Sequence, residues 1–337
     1  MNINVFTDAS YVWNKKDQTI IAGLNILYDN FQQKKSNILD AKSFTTGIYG
    51  QHTWDISKNI KLENGLRIEN VNYSNNNFSK NQTFILPRIS GLFKIDNNWS
   101  SRIGAGLGYK TPTIFTEQTE TIQYQNLSGL NNVTAEKSIG GTADVNFKTN
   151  ILEDLSFNIN QMFFATQINK PLVLQTLGTN FYFANALKPV ITKGFETNIK
   201  FIYKENFKFF VGYTFTDARA KYLNTNQFLP LLPKNKINLA LIYEKESNFK
   251  FGLEGYFTDK QFLYNGLQTP NFWEFGFMAE KTLWKNFSFF INFENFTDTR
   301  QSRYKPIVNG SHSNPTFDDI WTHIEGATIN GGVKIKF

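Results

Sequence analysis

Two long polar segments of the chain hold the residues whose types could bind a small ligand. They cover residues 111–135 and 303–326, and each mixes aromatic rings with charged groups. Rings stack on a flat or apolar ligand, and polar groups beside them orient it through hydrogen bonds. We predict that ligand capture falls to these six residues: Phe115, Tyr124, Tyr304, His312, Phe317 and Trp321.

The second segment also carries groups that bind metal ions, namely His312, Asp318, Asp319 and His323. The absence of Cys excludes a thiolate centre, and the three widely spread His argue against a His-based metal enzyme. Two adjacent Asp in a loop are more often a solvated turn. We therefore predict no metal site.

Catalytic patterns are missing from the sequence. There is no Gly-x-Ser-x-Gly, no phosphate-binding glycine loop and no HExxH. Gly104, Gly106 and Gly108 precede no helical pattern, so they are interpreted as strand glycines. The sequence predicts neither an enzyme nor a cofactor.

Alternation with a period of two dominates the segments that must position these loops. In residues 249–258 the odd positions are apolar or Gly, and polar side chains occupy mainly the even ones. Successive strand side chains point to opposite faces, so each strand has an apolar and a polar side. The polar register predicts side chains that line a lumen: Arg67, Glu196, Lys200, Glu254 and Glu274.

Two kinds of break separate these strands, and they alternate along the chain. The short ones are residues 14–18, 56–59, 95–98, 150–154, 204–206, 245–248 and 285–286. The looser ones are residues 33–43, 74–81, 111–135, 177–188, 223–234, 265–271 and 303–326, of which those around 76 and 223 are Asn-rich and predicted to be plain surface. Fifteen antiparallel strands with essentially no helix follow. Short turns at one end and longer loops at the other are typical of a transmembrane β-barrel of the outer membrane.

Composition agrees with this class. The chain has 337 residues, 16% of them aromatic, and its mean hydropathy is −0.37. No apolar run approaches the length of a transmembrane helix, whereas a barrel strand crosses with about 9–11 alternating residues. The net charge of +7 is spread beside turns without a basic stripe, so we predict no nucleic-acid partner.

Tryptophan positions favour a membrane over a soluble core. Trp13, Trp54, Trp99 and Trp284 lie near short turns, and Trp273 and Trp321 lie at the opposite end. Tryptophan prefers the membrane–water interface, so two girdles are predicted. A soluble β-protein with buried Trp anchors is the other interpretation. The last strand, residues 327–337, is predicted to end flush on the aromatic Phe337.

Several segments resemble the C-terminal barrel portion of TonB-dependent outer-membrane receptors. Each motif is weak alone, but their order extends over nearly the whole chain. They are Tyr49-x-Gln51-x-x-Trp54 with Gly65-Leu66-Arg67, Leu86-Pro87-Arg88, Gly108-Tyr109-Lys110-Thr111-Pro112-Thr113, Glu136-Lys137-Ser138, Gly194-Phe195-Glu196 and Glu294-Asn295-Phe296-Thr297-Asp298. Lys110 and Ala135 stand where the family usually has Arg and Pro.

The resemblance implies that residues 1–337 are the last fifteen strands of a 22-stranded receptor barrel. The first strands, the plug domain and the TonB box have no counterpart here, so a fragment that neither closes nor transports by itself is expected. The implied function is import of a scarce nutrient, such as a ferric siderophore or other metal chelate, across the outer membrane of a Gram-negative bacterium. The implied partners are outer-membrane lipid, the small-molecule ligand and, through the missing segments, the TonB-ExbB-ExbD complex.

Two other architectures are compatible with the alternation. One is a passive porin or channel of 14–16 strands, if one strand is miscounted. The other is a soluble β-propeller, because the short turns recur at intervals close to the length of a four-stranded blade.

Overall fold

A single large antiparallel sheet makes up most of the molecule. The computed structural model describes residues 2–34, 36–246, 248–284 and 286–335. Fifteen strands pair in chain order, apart from two short hairpins that lie outside the sheet. In order they are β1 (Asn2–Lys15), β2 (Gln18–Phe31), β3 (Ala41–Asp55), β4 (Ile60–Ser74), β5 (Ser79–Lys94), β6 (Trp99–Lys110), β7 (Glu136–Leu152), β8 (Leu155–Asn169), β11 (Val190–Tyr203), β12 (Phe207–Ala220), β13 (Asn235–Lys245), β14 (Phe249–Thr258), β15 (Phe272–Trp284), β16 (Phe287–Glu294) and β19 (Thr328–Ile335).

The strand count, the antiparallel pairing and the near absence of helix confirm the predicted fold class. A four-stranded blade architecture is wrong for this chain, because every strand of the sheet pairs with its neighbour in one continuous order. None of the helices among the described residues has the length and hydropathy of a membrane-spanning segment.

Pairing fixes which side chains share a face. Residues that pair directly across antiparallel strands point to the same side. The pairs Lys61–Leu92, Leu92–Arg102, Arg102–Asp144, Asp144–Met162 and Met162–Glu196 therefore place Arg67 and Glu196 on one side, called the polar face. The same reasoning through β11 to β15 adds Lys200, Glu254 and Glu274 to it.

The opposite side, called the apolar face, is exposed. Ile48, Ile85, Ile103 and Phe163 are 62, 62, 58 and 57% exposed, and pairing puts them all on this face. Similar side chains continue to Leu253 and Phe289. Soluble monomers rarely expose an apolar patch of more than a few hundred Å². The phenylalanines of this face are thus not packed inside a soluble globule.

Short turns gather at one end of the sheet, called the turn end. Between β11 and β12, Lys204 and Glu205 both have positive φ (48° and 59°), the backbone of a turn whose twist suits antiparallel strands. Between β5 and β6, the Asp96 carboxylate accepts the backbone N–H groups of Asn98 and Trp99, each at 2.7 Å. A local polar side chain therefore closes the β5–β6 turn, and the backbone conformation defines the β11–β12 turn. Ser247 and Lys285, in two other predicted short turns, lie outside the described residues.

Longer connections gather at the other end, called the loop end, and carry elements that the period-two pattern did not predict. These are a short helix, α1 (Glu117–Thr121), and two hairpins, β9 (Leu172–Leu177) with β10 (Asn180–Asn185) and β17 (Val308–Ser311) with β18 (Asn314–Phe317). A 3₁₀ turn covers Gln301–Arg303.

Several loop bounds differ from the prediction. The breaks at 265–271 and 303–326 begin earlier, directly after Thr258 and Glu294. The break at 177–188 is instead the second half of a connection that begins after Asn169 and contains the β9–β10 hairpin. The break at 74–81 shrinks to four residues, 75–78, because Ser74 pairs with Ser79 and Asn75 donates its N–H to Phe78.

Five of the six Trp lie at strand ends and are exposed, from 37% for Trp273 to 68% for Trp284. Trp321 is the exception, because it is 9% exposed and packs with Leu263 and Phe272. Its predicted place in an interfacial girdle is therefore wrong, since the loops fold over it.

The first and last strands lie at the two edges of the sheet. Among the described residues, β1 pairs only with β2, and β19 pairs only with β16. Nearly every residue of β1 is exposed, so both of its faces are open. Lys336 and Phe337 lie outside the described residues, and with them the predicted aromatic end of the last strand.

Candidate ligand site at the loop end

The connection between β6 and β7, residues 111–135, folds over the polar face at the loop end. The Tyr73 hydroxyl donates to the Val133 carbonyl at 3.0 Å, and the Asn75 amide donates to the Leu130 carbonyl at 2.6 Å. Val133 and its neighbour Val71 are fully buried. The loop is therefore held by both hydrogen bonds and an apolar cluster.

The helix α1 in this loop is organised by threonines. Thr116 caps its N-terminus, and the side chains of Thr116 and Thr119 exchange bonds with each other's backbone N–H groups. The buried Thr119 hydroxyl also donates to the Ile114 carbonyl at 2.6 Å. A capping box of this kind fixes the start of a helix too short to be stable alone.

A row of polar contacts crosses the polar face beneath the loop. The buried Glu69 carboxylate accepts from the Arg67 guanidinium and from the Tyr109 hydroxyl. Arg67 also lies over the ring of Tyr49, whose hydroxyl donates to Asp8 at 3.0 Å. The row joins β1, β3, β4 and β6, so the wall below the loop is rigidly cross-linked.

The first cavity, called the wall cavity, borders this row at Glu69 and Tyr109 and has a volume of about 500 Å³. Its aromatic side includes Phe31 and Phe115, whose rings meet edge to face at 4.9 Å. Tyr124 packs 6.0 Å from Phe115. Of the predicted ligand residues, Phe115 therefore lines this cavity, and Tyr124 contacts Phe115 from outside the lining.

The second cavity, called the loop cavity, has a volume of about 630 Å³ and is built by several connections at once. It lies between α1, the β9–β10 hairpin, residues 221–234 and residues 259–271. Phe228 and Phe262 stack in parallel at 5.1 Å on its wall. Its polar lining includes Tyr222, Tyr264 and Asp319.

Sequence reasoning missed most of this second cavity. The segment around residue 223 was expected to be plain surface because it is Asn-rich, yet it supplies Tyr222 and Phe228. The sequence signal for this cavity is the presence of aromatic residues in both neighbouring connections, 221–234 and 259–271. Only folding shows that those connections meet.

The predicted residues of the last connection are divided between two places. Tyr304 packs 5.4 Å from the ring of Trp321, which is held by backbone bonds to Gln301 and Gln261. His312 is exposed between β17 and β18, and Phe317 ends β18. The structure therefore does not gather all six predicted residues into one site.

Three of the four potential metal ligands of this connection have separate contacts. Asp318 pairs with Lys305 at 2.6 Å, Asp319 accepts the Tyr264 N–H at 3.0 Å, and the His323 imidazole meets Glu274 at 2.7 Å. Within the described ranges, no cluster of three or more such residues could hold a metal ion.

The other residues predicted to line the lumen have nearby partners on the polar face. Glu196 accepts from Asn198 at 2.6 Å, and Glu254 accepts from Tyr256 at 2.8 Å. The Lys200 ammonium lies 5.3 Å from the centre of the Phe210 ring. These contacts make the face a mixed-charge, hydrogen-bonded surface rather than a field of one sign.

Electrostatics at the loop cavity is set by burial among carboxylates. Burial raises the pKa of Asp319, and the neighbouring Asp318 carboxylate adds to the effect, although the Tyr264 N–H opposes it. Burial also raises the pKa of Tyr264, with Glu117 and Asp319 contributing in the same direction. The cavity therefore disfavours added negative charge.

Known proteins share this architecture. Residues 4–296 match the family model described as TonB dependent receptor-like, beta-barrel. Among solved structures, the chain is similar to the copper transporter OprC, with 12% identity and a TM-score of 0.73. It is also similar to the FrpB iron transporter from Neisseria meningitidis, with 15% identity and a TM-score of 0.70, and to the ferric yersiniabactin uptake receptor FyuA from Yersinia pestis, with 14% identity and a TM-score of 0.67.

All of this chain is covered in each of the three structural matches, but only 56% of OprC and FrpB and 54% of FyuA. The chain therefore spans about half the length of these proteins. Identities this low show the shared fold alone. The family model, which matches most of the chain, agrees with the motifs and with the two-faced fifteen-stranded sheet, and the chain belongs to the TonB-dependent receptor-like β-barrel family.

Proposed function

We propose that residues 1–337 form the C-terminal barrel portion of an outer-membrane receptor that imports a scarce nutrient, such as a ferric siderophore or other metal chelate. One observation carries this proposal. The apolar face is exposed across the sheet, while one cavity lies against the polar face and a second lies among the loops at the loop end.

Lipid on one side and water on the other is the environment that such a sheet requires. Hydrocarbon covers exposed Ile and Phe without penalty, and strand pairing satisfies the backbone groups that lipid cannot. The polar face would line the lumen. The loop end would face outward, since outer-membrane barrels carry their longer loops on the extracellular side.

Ligand capture at the loop end suits the geometry of the two cavities. Each is of the size that small-molecule sites commonly have, with aromatic walls and a few polar groups. Among the predicted residues, Phe115 and Tyr124 belong to the wall cavity region, and we extend the proposed site to Tyr222, Phe228, Phe262 and Tyr264.

Transport against a gradient would need an energy source from elsewhere, because the outer membrane holds neither ATP nor an ion gradient. We assign that role to the TonB-ExbB-ExbD complex, acting through a plug and TonB box as in the family that the motifs resemble. Other barrel strands would complete the lumen.

Uptake in the host tests this function. A strain lacking the gene for the receptor that contains residues 1–337 should grow more slowly under nutrient limitation. A labelled substrate should accumulate only in cells that carry this gene and an intact TonB. The gene supplied in trans is the control. Uptake that is equal with and without the gene, over a panel of iron, copper and other chelates, would rule the proposal out.

A further inference from the structure

The lining of the loop cavity is rich in amides and hydroxyls. Its hydroxyls include those of Tyr222 and Tyr264. Five amide side chains also line it, namely Gln118, Gln175, Asn224, Asn226 and Asn265. The amide oxygens of Asn226 and Asn265 accept backbone N–H groups at 3.2 and 3.0 Å, which orients both side chains. Asp319 is the one charged side chain among the described lining residues.

The lining of the wall cavity also contains more carboxylates than cationic groups. Its charged lining consists of Asp29, Glu69 and Lys42 among the residues that the structure describes. Glu69 already receives bonds from Arg67 and Tyr109, and Lys42 lies 5.4 Å from the ring centre of Tyr28. Taken together, the two cavities present three carboxylates and one ammonium.

Two cations near the loop cavity contact the ring of Phe228 but do not line the cavity. Arg219 and Lys234 lie 3.6 and 4.0 Å from the ring centre of Phe228. Arg219 also pairs with Asp217 at 2.6 Å. Neither cation lines the cavity, so both act through an aromatic ring that they help to hold in place.

This distribution of charge excludes one class of ligand and fits another. An anion that leaves water needs charge-assisted hydrogen bonds from Arg or Lys, and neighbouring carboxylates would repel it. Amides and hydroxyls both donate and accept, so they match a ligand that carries many neutral polar groups. The stacked rings of Phe228 and Phe262 offer a flat surface for its apolar side.

We propose that the loop-end cavities select an uncharged ligand rich in hydroxyl or amide groups, and that they discriminate against polyanions. This rests on the proposed function and narrows its substrate class. Two sources offer such chemistry, namely a neutral oligosaccharide and a ferric chelate whose hydroxamate groups cancel the metal charge.

Binding to outer-membrane vesicles of the host separates these sources from anions. Four probes are compared in vesicles with and without the gene: a glucose oligosaccharide, a neutral ferric trihydroxamate, ferric citrate and a ferric tris-catecholate. We expect gene-dependent binding of one neutral probe, at least about tenfold tighter than that of either anionic probe. The neutral probe that binds identifies the source.

A charge inserted into the cavity should change this preference. In Asn224→Lys and Asn265→Lys, a cation enters the lining, so the ferric tris-catecholate should bind about tenfold tighter than it does to the unchanged protein. Asn309→Lys adds the same charge on the β17 strand, which lines neither cavity, and should leave all four affinities unchanged.

The outcomes distinguish the two proposals. Anionic probes that bind as tightly as the neutral ones, in a gene-dependent manner, overturn the charge selectivity and leave the receptor function standing. The charge selectivity is also overturned if Asn309→Lys raises the affinity for the ferric tris-catecholate as much as Asn224→Lys does. Net charge alone would then explain the change. Gene-independent binding of all four probes counts against both.

Discussion

At the scale of single residues, Asp319 shows how the loop end handles charge. Its carboxylate accepts the Tyr264 N–H at 3.0 Å and lies beside Asp318, which pairs with Lys305. Burial raises the pKa of Asp319, so the folded loops favour the protonated acid. Because the pKa is raised, protonation of Asp319 stabilises the folded loops. This contribution is complete below the ordinary pKa of Asp, about 3.9, and is lost as the pH rises through the raised pKa.

Asp319→Asn imitates the protonated acid, because the amide oxygen can still accept the Tyr264 N–H. At pH 7 we expect residues 259–271 to be cleaved about twofold to fivefold more slowly by protease than in the unchanged protein, since local opening governs cleavage. At pH values below about 3.9 the difference should vanish. Cleavage rates of the detergent-extracted protein at both pH values give the measurement.

The matched control for this prediction is Asp318→Asn. It removes the partner of Lys305, so it should leave the loops equally or more readily cleaved at pH 7. If Asp319→Asn also speeds cleavage at pH 7, then the charged form of Asp319 stabilises the loops and the argument from burial is wrong.

At the scale of elements, the β8–β11–β12 part of the sheet depends on a glycine. An added Cβ at Gly194 would lie 2.0 Å from the Phe215 carbonyl oxygen and 2.6 Å from the Phe164 ring. Backbone cannot yield as a flexible side chain can. The Gly-Phe-Glu motif at residues 194–196 therefore has a packing reason, which is the close approach of two strands and a ring.

Gly194→Ala should accordingly destabilise the protein by about 1–3 kcal/mol, as overpacking does. Gly252→Ala is the matched control, because its added Cβ would only touch Met278 at 4.0 Å. The measurement is urea unfolding of the detergent-purified protein. Equal midpoints for the two variants would show that the strands can separate at Gly194 without cost.

At the scale of the whole molecule, the sheet has two free edges. Among the described residues β1 and β19 each pair on one side, so rows of N–H and C=O groups are left without strand partners. Each such group costs several kcal/mol in hydrocarbon. The exposed apolar face of this portion therefore favours lipid, whereas the unpaired backbone groups at its two edges disfavour it.

Residues 1–337 refolded alone in detergent should therefore not form a closed barrel. We expect no shift in gel mobility between boiled and unboiled samples, and no discrete conductance steps in planar bilayers. A refolded known outer-membrane barrel serves as the positive control. Uniform conductance steps would instead support the alternative of a small passive channel formed by these strands.

Much of the fold could be read from the sequence because its signals are local. Alternation in segments such as 249–258 reports a two-faced strand without knowledge of any partner, and Asp96 or Asn75 closes a turn through its own neighbours. The fifteen strands, the alternating short and long connections and the shared face of Arg67, Glu196, Lys200, Glu254 and Glu274 all follow from these signals.

Contacts between distant connections could not be read in this way. The burial of Trp321 against Leu263 and Phe272, and the meeting of Phe228 with Phe262, join segments tens of residues apart. Loop sequences carry no periodicity that reports such contacts, because their conformation is set by what they pack against. The sequence by itself determined a two-faced sheet with a loop end, whereas the tertiary structure decided which loop residues share a cavity and therefore which charges a ligand would meet there.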